Sequence, residues 1–250
     1  MTTASTTRTG RLTPDRFGFS MPVGVPLYPS LPWQYRRARF FTVTYETDQD
    51  AAADSLPEGL SFTEPAVARI TFASYPETPV GPYNEGLQTI ECTWQGQALG
   101  FVNRIVLDND GALAAGREVL GYCKKLARVD WKESVDGLEV TVERGGGLLA
   151  RVHARLGSAS PVGARAPSFT ANIRLIPSAE AGAPPSVSEL VQVSNALFVH
   201  ETRPAEATLE FGPAGDTEAW SALPVRRVLS AGLAVSDFTL NYGTVLARYV

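Results

Sequence analysis

Short segments in which apolar or β-branched residues alternate with polar residues recur along most of this chain. Residues 40–45, 138–143 and 168–176 are clear examples, and turn-forming residues separate such segments. Alternation with a period of two sends successive side chains to opposite faces of a β-strand. About ten such segments at short spacing, with few helical ones, are typical of a sheet that closes on itself or of two packed sheets. We therefore predict a β-rich (α+β) fold with a large antiparallel, barrel-like sheet and a few short helices.

Helix and turn signals are fewer. Thr47 or Asp48 can cap a short helix that extends to residue 53, and Asp110 can cap a helix over residues 112–120. The run Arg-Gly-Gly-Gly at residues 144–147 predicts a hairpin. The remaining strong signals are for strands, at residues 66–74, 88–94, 98–107, 148–154, 190–201, 207–211 and 233–250.

Composition indicates one globular domain. The sequence shows no internal repeat and no shift in composition, so we expect a mobile tail over residues 1–17 and one domain over residues 18–250. The tail is rich in Thr and Ser and lacks the apolar region of a secretory signal. No run of about 18 apolar residues could form a transmembrane helix. Two cysteines are too few for a disulfide scaffold, so a cytoplasmic location is expected.

Charge and histidine content exclude several classes of partner. The formal net charge is −4 and no long basic run occurs, which argues against nucleic acid or an anionic membrane as the main partner. His153 and His200 are the only histidines and have no metal-ligand spacing. We therefore predict neither a metal site nor a cofactor, and we expect a small-molecule partner.

Lysine usage is the unusual feature of the composition. Of the 22 basic residues 19 are arginine, and the three lysines are Lys124, Lys125 and Lys132. Two of them are adjacent within an otherwise apolar segment, residues 119–127. Arginine could supply a surface charge there, but it cannot lose its proton. The pair therefore suggests a nucleophilic amine, although adjacent lysines on a solvated face remain an alternative from the residues alone.

An amine attacks a carbonyl only in its uncharged form. Lysine has an ordinary pKa of about 10.4, so almost none is uncharged near neutral pH. A neighbouring positive charge and burial in an apolar pocket both favour the uncharged form. Two adjacent lysines in an apolar segment can combine these two effects.

Three motifs in order resemble the acetoacetate decarboxylase family. Gly116-Arg-Glu-Val-Leu-Gly-Tyr-Cys-Lys-Lys-Leu is similar to the family signature Gly-Arg-Glu followed by Gly-Tyr-Pro-Lys-Lys. Gly81-Pro-Tyr-Asn-Glu85 lies upstream, at the spacing of the family's active-site glutamate. Tyr45-Glu-Thr-Asp48, followed by Leu56-Pro-Glu-Gly-Leu60, matches the opening of the family pattern.

The resemblance implies roles for individual residues. Lys124 would form an imine with a small-molecule carbonyl substrate, and Lys125 would be its charged neighbour. Glu85 would act as the acid or base that handles the proton. The resemblance also implies a homo-oligomer. The candidate substrate-binding residues are Arg36, Arg117, Glu118 and Tyr242. The residues alone favour the alternatives that Arg117 and Glu118 are structural supports and that Tyr242 is a packing residue.

Three departures from the family pattern limit what can be carried over. Cys123 stands where proline precedes the lysines, Ala38 where decarboxylases have an arginine, and Ile70 where they have an acidic residue. Arg36 shares strand parity with Ala38 and could restore the positive charge. Ile70 would make the pocket more apolar.

The sequence thus predicts an imine-forming lyase without specifying which bond breaks. Decarboxylation of an oxo acid and aldol–dehydration or cyclisation chemistry both remain open, and secondary metabolism is one setting for such enzymes. The alternative is a non-catalytic, lipocalin-like barrel that binds a small molecule.

Overall fold

Thirteen strands form one large sheet in the computed structural model, which describes residues 7–213 and 219–249. The strands alternate along the chain with short turns. They are β1 (Trp33–Glu46), β2 (Leu60–Ser61), β3 (Val67–Tyr75), β4 (Tyr83–Trp94), β5 (Gln97–Leu107), β6 (Lys124–Leu126), β7 (Arg128–Glu133), β8 (Gly137–Arg144), β9 (Gly147–Leu156), β10 (Ser160–Ile176), β11 (Val187–Phe211), β12 (Arg227–Leu240) and β13 (Thr244–Arg248).

Within the described ranges, two α-helices connect strands. Helix α1 (Gln49–Ser55) begins after Asp48, whose side chain accepts a hydrogen bond from the Ala51 N–H, as predicted. Helix α2 (Asp110–Ala115) continues into a π-helical turn, Gly116–Leu120. Its N-cap is Asn109, because the Asn109 side chain accepts from the Ala112 N–H at 2.8 Å, so the predicted cap at Asp110 was wrong by one residue. Short 3₁₀ turns occur at Pro14–Arg16 and Trp220–Ala222. None of the helices in the described ranges is long and apolar enough to cross a membrane.

Seven strands close into a ring. Strand β1 pairs with β3 and β12, and the chain of pairs β3–β4–β5–β10–β11–β12 completes the circle. Most pairs are antiparallel, but β10 and β6 each run parallel to β5. The prediction of a β-rich, barrel-like sheet is confirmed, with these two parallel pairings as an addition.

The second half of β11 leaves the ring and pairs with β9, which continues into β8 and β7. This outer sheet covers one side of the ring. Between the two layers lies the largest core, in which Phe41 of β1, Phe72 of β3 and Val140 of β8 have no exposed surface. Alternation explains this arrangement, because alternate residues of β1 and β3 face outward into that core and their neighbours face the interior of the ring.

Local patterns identified most strands but misjudged their length. Residues 190–201 and 207–211 were predicted as separate strands and belong to the single strand β11. The predicted hairpin at residues 144–147 joins β8 and β9. Strands β6 and β7 were not anticipated. The predicted mobile tail lies partly outside the described residues, and its part from residue 7 to residue 17 is exposed and includes the first 3₁₀ turn.

Asp237 supports two bulges that face each other across β12. The bulge in β1 consists of Arg36 and Arg37, between Tyr35 and Ala38. The bulge in β11 is at His200. The Asp237 carboxylate accepts from the Arg37 N–H at 2.7 Å and lies 3.1 Å from His200 Nε2. Partial burial acts to raise the pKa of Asp237, but these contacts and the Arg36 guanidinium outweigh it, so this pKa lies below its ordinary value.

A lowered carboxyl pKa predicts a pH-dependent contribution to stability. This contribution is complete above the unfolded-state pKa of about 3.9 and is lost as the pH falls through the lower folded-state value. Asp237→Asn should therefore reduce the free energy of unfolding at pH 7 by about 1 kcal/mol, a change of a few degrees in Tm. Thermal unfolding of both proteins from pH 7 to pH 3 would check this, because the difference in Tm between them should become smaller near pH 3. A constant difference over this range would contradict the assignment.

Candidate active site

The ring of strands encloses a cavity of about 330 Å³. Side chains from all seven ring strands line it, together with Tyr122 and Lys124. One end is aromatic, and the charged residues among the described lining are Arg69, Glu85 and Lys124. The aromatic lining consists of Tyr35, Phe40, Tyr75, Tyr83, Tyr122, Phe169 and Phe238.

Lys124 and Glu85 meet at the aromatic end. Strand β6 runs parallel to β5 with Lys124 opposite Ile105, which directs the lysine side chain into the ring. Glu85 lies on β4, and its Oε2 is 2.9 Å from Lys124 Nζ. The residues are only 7% and 5% exposed. A buried amine beside a buried carboxylate places a nucleophile and a proton carrier within reach of one small molecule, an arrangement that can support imine chemistry.

Tyrosines surround this pair. The Tyr75 hydroxyl donates to Glu85 Oε1 at 3.2 Å, so the two carboxylate oxygens have different partners. Tyr35 and Tyr83 share a hydrogen bond of 2.9 Å between their hydroxyls. The rings of Tyr83 and Tyr122 lie 5.9 and 5.5 Å from Lys124 Nζ, within the range of cation–π contact.

Burial keeps these hydroxyls protonated. It raises the pKa of Tyr122 to about 12, and the hydrogen bond with Thr170 offsets this only in part. Burial, reinforced by the charge of Glu85, also raises the pKa values of Tyr75, Tyr83 and Tyr35 well above the ordinary range. The cavity therefore offers neutral hydrogen-bond donors rather than phenolates throughout the physiological pH range.

Gly116 makes room for the lysine. A Cβ added at this position would lie 2.6 Å from Cδ and 2.7 Å from Cε of Lys124. Such distances are far below van der Waals contact, so any other residue would displace the lysine side chain. The first glycine of the Gly-Arg-Glu motif is thus explained by close approach rather than by backbone conformation.

Gly121 and Arg117 support the backbone around the lysine. Gly121 ends the π-helical turn with a φ of 78°, and a Cβ there would lie 2.7 Å from backbone atoms of Arg174. Arg117 Nη1 donates to the backbone carbonyl of Lys124 at 3.0 Å. The exposed Arg117 therefore contacts the main chain of the lysine and does not line the cavity.

Lys125 lies next to the cavity but does not line it. Successive residues of β6 face opposite sides of the sheet, so Lys125 points away from Lys124. Its side chain is partly buried and interacts with at least one other group. Cys123, which stands at the proline position of the family signature, is exposed. Its Sγ lies 3.4 Å from the backbone carbonyl oxygen of Asn103.

The bulge in β1 determines where the arginines point. Arg36 and Arg37 together lie opposite a single residue of β12, so the strand has one extra residue here. As a result Tyr35 and Ala38 are both buried while Arg36 is exposed. The expectation that Arg36 shares the parity of Ala38 was therefore wrong. Its guanidinium lies 3.5 Å from Asp237, and Arg36 does not line the cavity.

Glu118 and Tyr242 border a different cleft, of about 460 Å³, on the outer side of the π-helical turn. Glu118 accepts a hydrogen bond from the Tyr28 hydroxyl at 2.5 Å. Tyr242 is 52% exposed and lies between β12 and β13. The structure thus does not bring these two predicted substrate-binding residues to the lysine.

Ile70 does not make the cavity more apolar, contrary to expectation. It is fully buried on the outward face of β3, in the core between the two layers. The neighbours that line the cavity from this strand are Arg69, Thr71 and Tyr75. Sequence reasoning missed Tyr75 and Arg69 because their position opposite β4 depends on strand register. The signal available was on β4, where Tyr83 and Glu85 are two residues apart and therefore face the same side.

The two histidines lie outside the cavity. His153 is on the outer sheet, 3.6 Å from Glu139, and His200 pairs with Asp237. Within the described ranges no three His, Cys, Asp or Glu side chains are grouped as metal ligands.

Comparison with known proteins identifies the family of this chain. The sequence model of the acetoacetate decarboxylase family matches residues 20–250. Acetoacetate decarboxylase 1 of Bradyrhizobium diazoefficiens is 30% identical over 243 residues, covering 94% of this chain and 95% of that relative.

Solved structures share the fold. An acetoacetate decarboxylase superposes with a TM-score of 0.87 at 24% identity, covering 96% of this chain and all of that one (100%). The enduracididine biosynthesis enzyme MppR, complexed with pyruvate, gives a TM-score of 0.78 at 17% identity, covering 94% and 99% of the two chains. With the family model matching nearly the whole length, this chain belongs to the acetoacetate decarboxylase family.

Proposed function

We propose that this protein is an imine-forming lyase that acts on an oxo acid or a related carbonyl compound through Lys124. The observation that carries the proposal is the 2.9 Å contact between Lys124 Nζ and Glu85 Oε2, which lies buried at one end of the cavity. Its membership of the acetoacetate decarboxylase family supports the same reaction class.

In the first step Glu85 takes the proton that Lys124 must lose. A proton transferred along the contact leaves an uncharged amine and a carboxylic acid side by side. The amine attacks the substrate carbonyl, and loss of water from the adduct leaves a protonated imine. Glu85 can supply the proton that the departing oxygen needs.

In the second step the protonated imine accepts an electron pair from a breaking bond. If the bond to a carboxylate breaks, carbon dioxide leaves and an enamine remains. If an α C–H bond breaks, the proton goes to a base, and the enamine can add to an aldehyde. Glu85 is the proton donor or acceptor in both routes, and hydrolysis of the final imine restores Lys124.

Product analysis distinguishes the two routes. Relatives named acetoacetate decarboxylases favour release of carbon dioxide, whereas MppR is a structural relative complexed with an oxo acid in a biosynthetic setting. Carbon dioxide release from an oxo acid alone would identify a decarboxylase. A condensed enone formed only with an added aldehyde would identify an aldolase–dehydratase.

A non-catalytic binding barrel is the competing interpretation. It fits a hydrophobic cavity, but it gives no reason for a lysine–carboxylate pair inside that cavity, because burying two charges costs desolvation energy. A homo-oligomeric assembly and a cytoplasmic location remain predictions, which gel filtration with light scattering and cell fractionation can test.

Reductive trapping tests the nucleophile. With an oxo acid and borohydride, the adduct should map to Lys124, and Lys124→Met should abolish both adduct and turnover because the thioether cannot form an imine. Lys132→Met is the matched control, since its side chain is 71% exposed beside Glu139. Lys125→Gln tests the proposed role of Lys125 as the charged neighbour: slower trapping would support that role, and an unchanged rate would reject it. Peptide mass mapping is simple with three lysines, and an adduct that persists in Lys124→Met would reject the assignment.

Two glycine variants separate positioning from folding. Gly116→Ala should displace the lysine side chain and slow trapping roughly 100-fold while Tm changes little, because the clash is with a flexible side chain. Gly121→Ala should instead lower stability by about 1–2 kcal/mol or more, because alanine is strained at positive φ and its Cβ meets the backbone of Arg174. Trapping rates per folded molecule and thermal melts would measure both effects. Similar outcomes for the two variants would contradict this division.

Tyr75→Phe tests the support of Glu85. The ring stays, but the donor to Glu85 Oε1 is lost, and a roughly ten- to hundredfold fall in kcat is expected. Tyr122→Phe is the control in the same cavity, because its hydroxyl bonds to Thr170 instead. Steady-state kinetics of both variants would decide, and equal losses would show that the hydroxyl of Tyr75 has no special role.

A further inference from the structure

Arg69 is the third charged side chain in the cavity lining, and the proposed chemistry does not use it. Within the described lining, no other arginine, lysine or acidic residue accompanies Arg69, Lys124 and Glu85. A guanidinium is a strong partner for a carboxylate, with which it can form paired hydrogen bonds.

Strand register separates Arg69 from the reacting pair. Ala73 lies opposite Glu85 in the β3–β4 pairing, and Arg69 lies opposite Thr89. Four residues along a strand correspond to about 13 Å at about 3.3 Å per residue. Because these positions differ by an even number, Arg69 and Glu85 face the same cavity from its two ends.

The lining between the two ends carries no charge among the described residues, and the cavity has further polar lining residues in Thr170, Asn195 and Ser236. Thr42, Thr71 and Leu87 form one level across three strands, and the two threonine hydroxyls bond to each other at 3.0 Å. Other apolar residues line the same cavity, namely Ile105, Phe169, Leu197, Val199 and Ala234. At the Arg69 end, hydroxyl groups return with Thr89 and Ser168. The cavity therefore offers a reacting end, an uncharged middle and a positively charged end.

The Arg69 end borders an outer cleft of about 550 Å³. Cavity and cleft share the residues Arg69, Thr89, Gly100, Ser168 and Phe169. Arg69 Nη2 lies 2.5 Å from Glu91 Oε1, but their side chains are 51% and 38% exposed. Such solvent-exposed pairs contribute little free energy, so a ligand carboxylate can replace Glu91 at small cost.

We propose that the substrate is an extended oxo acid with a second carboxylate, which Arg69 binds while the carbonyl reacts at Lys124. This inference rests on the proposed imine function and names its substrate class. A carboxylate two bonds from the reacting carbonyl reaches at most about 3 Å at about 1.5 Å per bond. It cannot extend to Arg69, so several carbon atoms must lie along the uncharged middle between the carbonyl and the distal carboxylate.

A matched pair of probes isolates the distal carboxylate. 3-Oxododecanedioate and 3-oxododecanoate have the same carbon chain and the same reacting end, and they differ only in the far carboxylate. Nine bonds join the reacting carbonyl carbon to that carboxylate, which gives a reach of about 13 Å at about 1.5 Å per bond. Borohydride trapping at Lys124 over a range of concentrations gives the half-saturating concentration of each probe, whichever bond breaks afterwards. We expect 3-oxododecanedioate to reach half-saturation at a concentration roughly ten- to hundredfold lower than 3-oxododecanoate, as a charge-assisted hydrogen bond would produce.

Variants at the charged end complete the test. Arg69→Met should remove the difference between the two probes by raising the half-saturating concentration of 3-oxododecanedioate to that of 3-oxododecanoate. Glu91→Gln should preserve or widen the difference, because it leaves Arg69 without its competing carboxylate. Arg151→Met, on the outer sheet beside Glu210, is the arginine control and should behave as wild type. Thermal melts of all variants establish that each is folded.

The outcomes distinguish this inference from the function on which it rests. The role of Arg69 is overturned if wild type has the same half-saturating concentration for both probes, or if Arg69→Met raises that concentration equally for both. The imine function stands in either case. If neither of the two probes nor acetoacetate forms an adduct, the imine function itself is overturned, and the substrate class with it.

Discussion

Lys124 Nζ and Glu85 Oε2 lie 2.9 Å apart, and both side chains are almost completely removed from solvent. Two charged groups in such a place lose most of their hydration, and their mutual attraction compensates only if the geometry is maintained. Much of the surrounding structure maintains it. Tyr75 occupies the second carboxylate oxygen, Gly116 leaves space for the lysine stem, and Arg117 fixes the carbonyl of the lysine.

The lysine reaches this position through an unusual connection for a mainly antiparallel sheet. Helix α2 and the π-helical turn carry the chain back so that the three-residue strand β6 runs parallel to β5. In such a short strand one side chain faces the cavity and its neighbours face away. This alternation separates the roles of two adjacent lysines, because Lys124 enters the ring and Lys125 remains outside it.

The sequence predicted the strands and the lysine better than it predicted the lining of the cavity. Alternation is a local property, so most strands could be recognised, and the scarcity of lysine made Lys124 conspicuous. Parity arguments failed at Arg36, because the bulge in β1 adds a residue to one strand and reverses the faces beyond it. They failed at Ile70 as well, because counting from a motif does not show which face of β3 is the inner one.

The sequence by itself therefore determined the fold class, the family resemblance and the candidate reacting groups, since alternation, composition and ordered motifs are all written along the chain. Only the tertiary structure decided that Glu85 meets Lys124 rather than Lys125, that Tyr75 supports Glu85, and that Arg69 faces the same cavity. Each of these facts depends on strand register, bulges and ring closure. These arise from pairing between distant segments, and a shift of one residue would turn every one of these side chains to the other face.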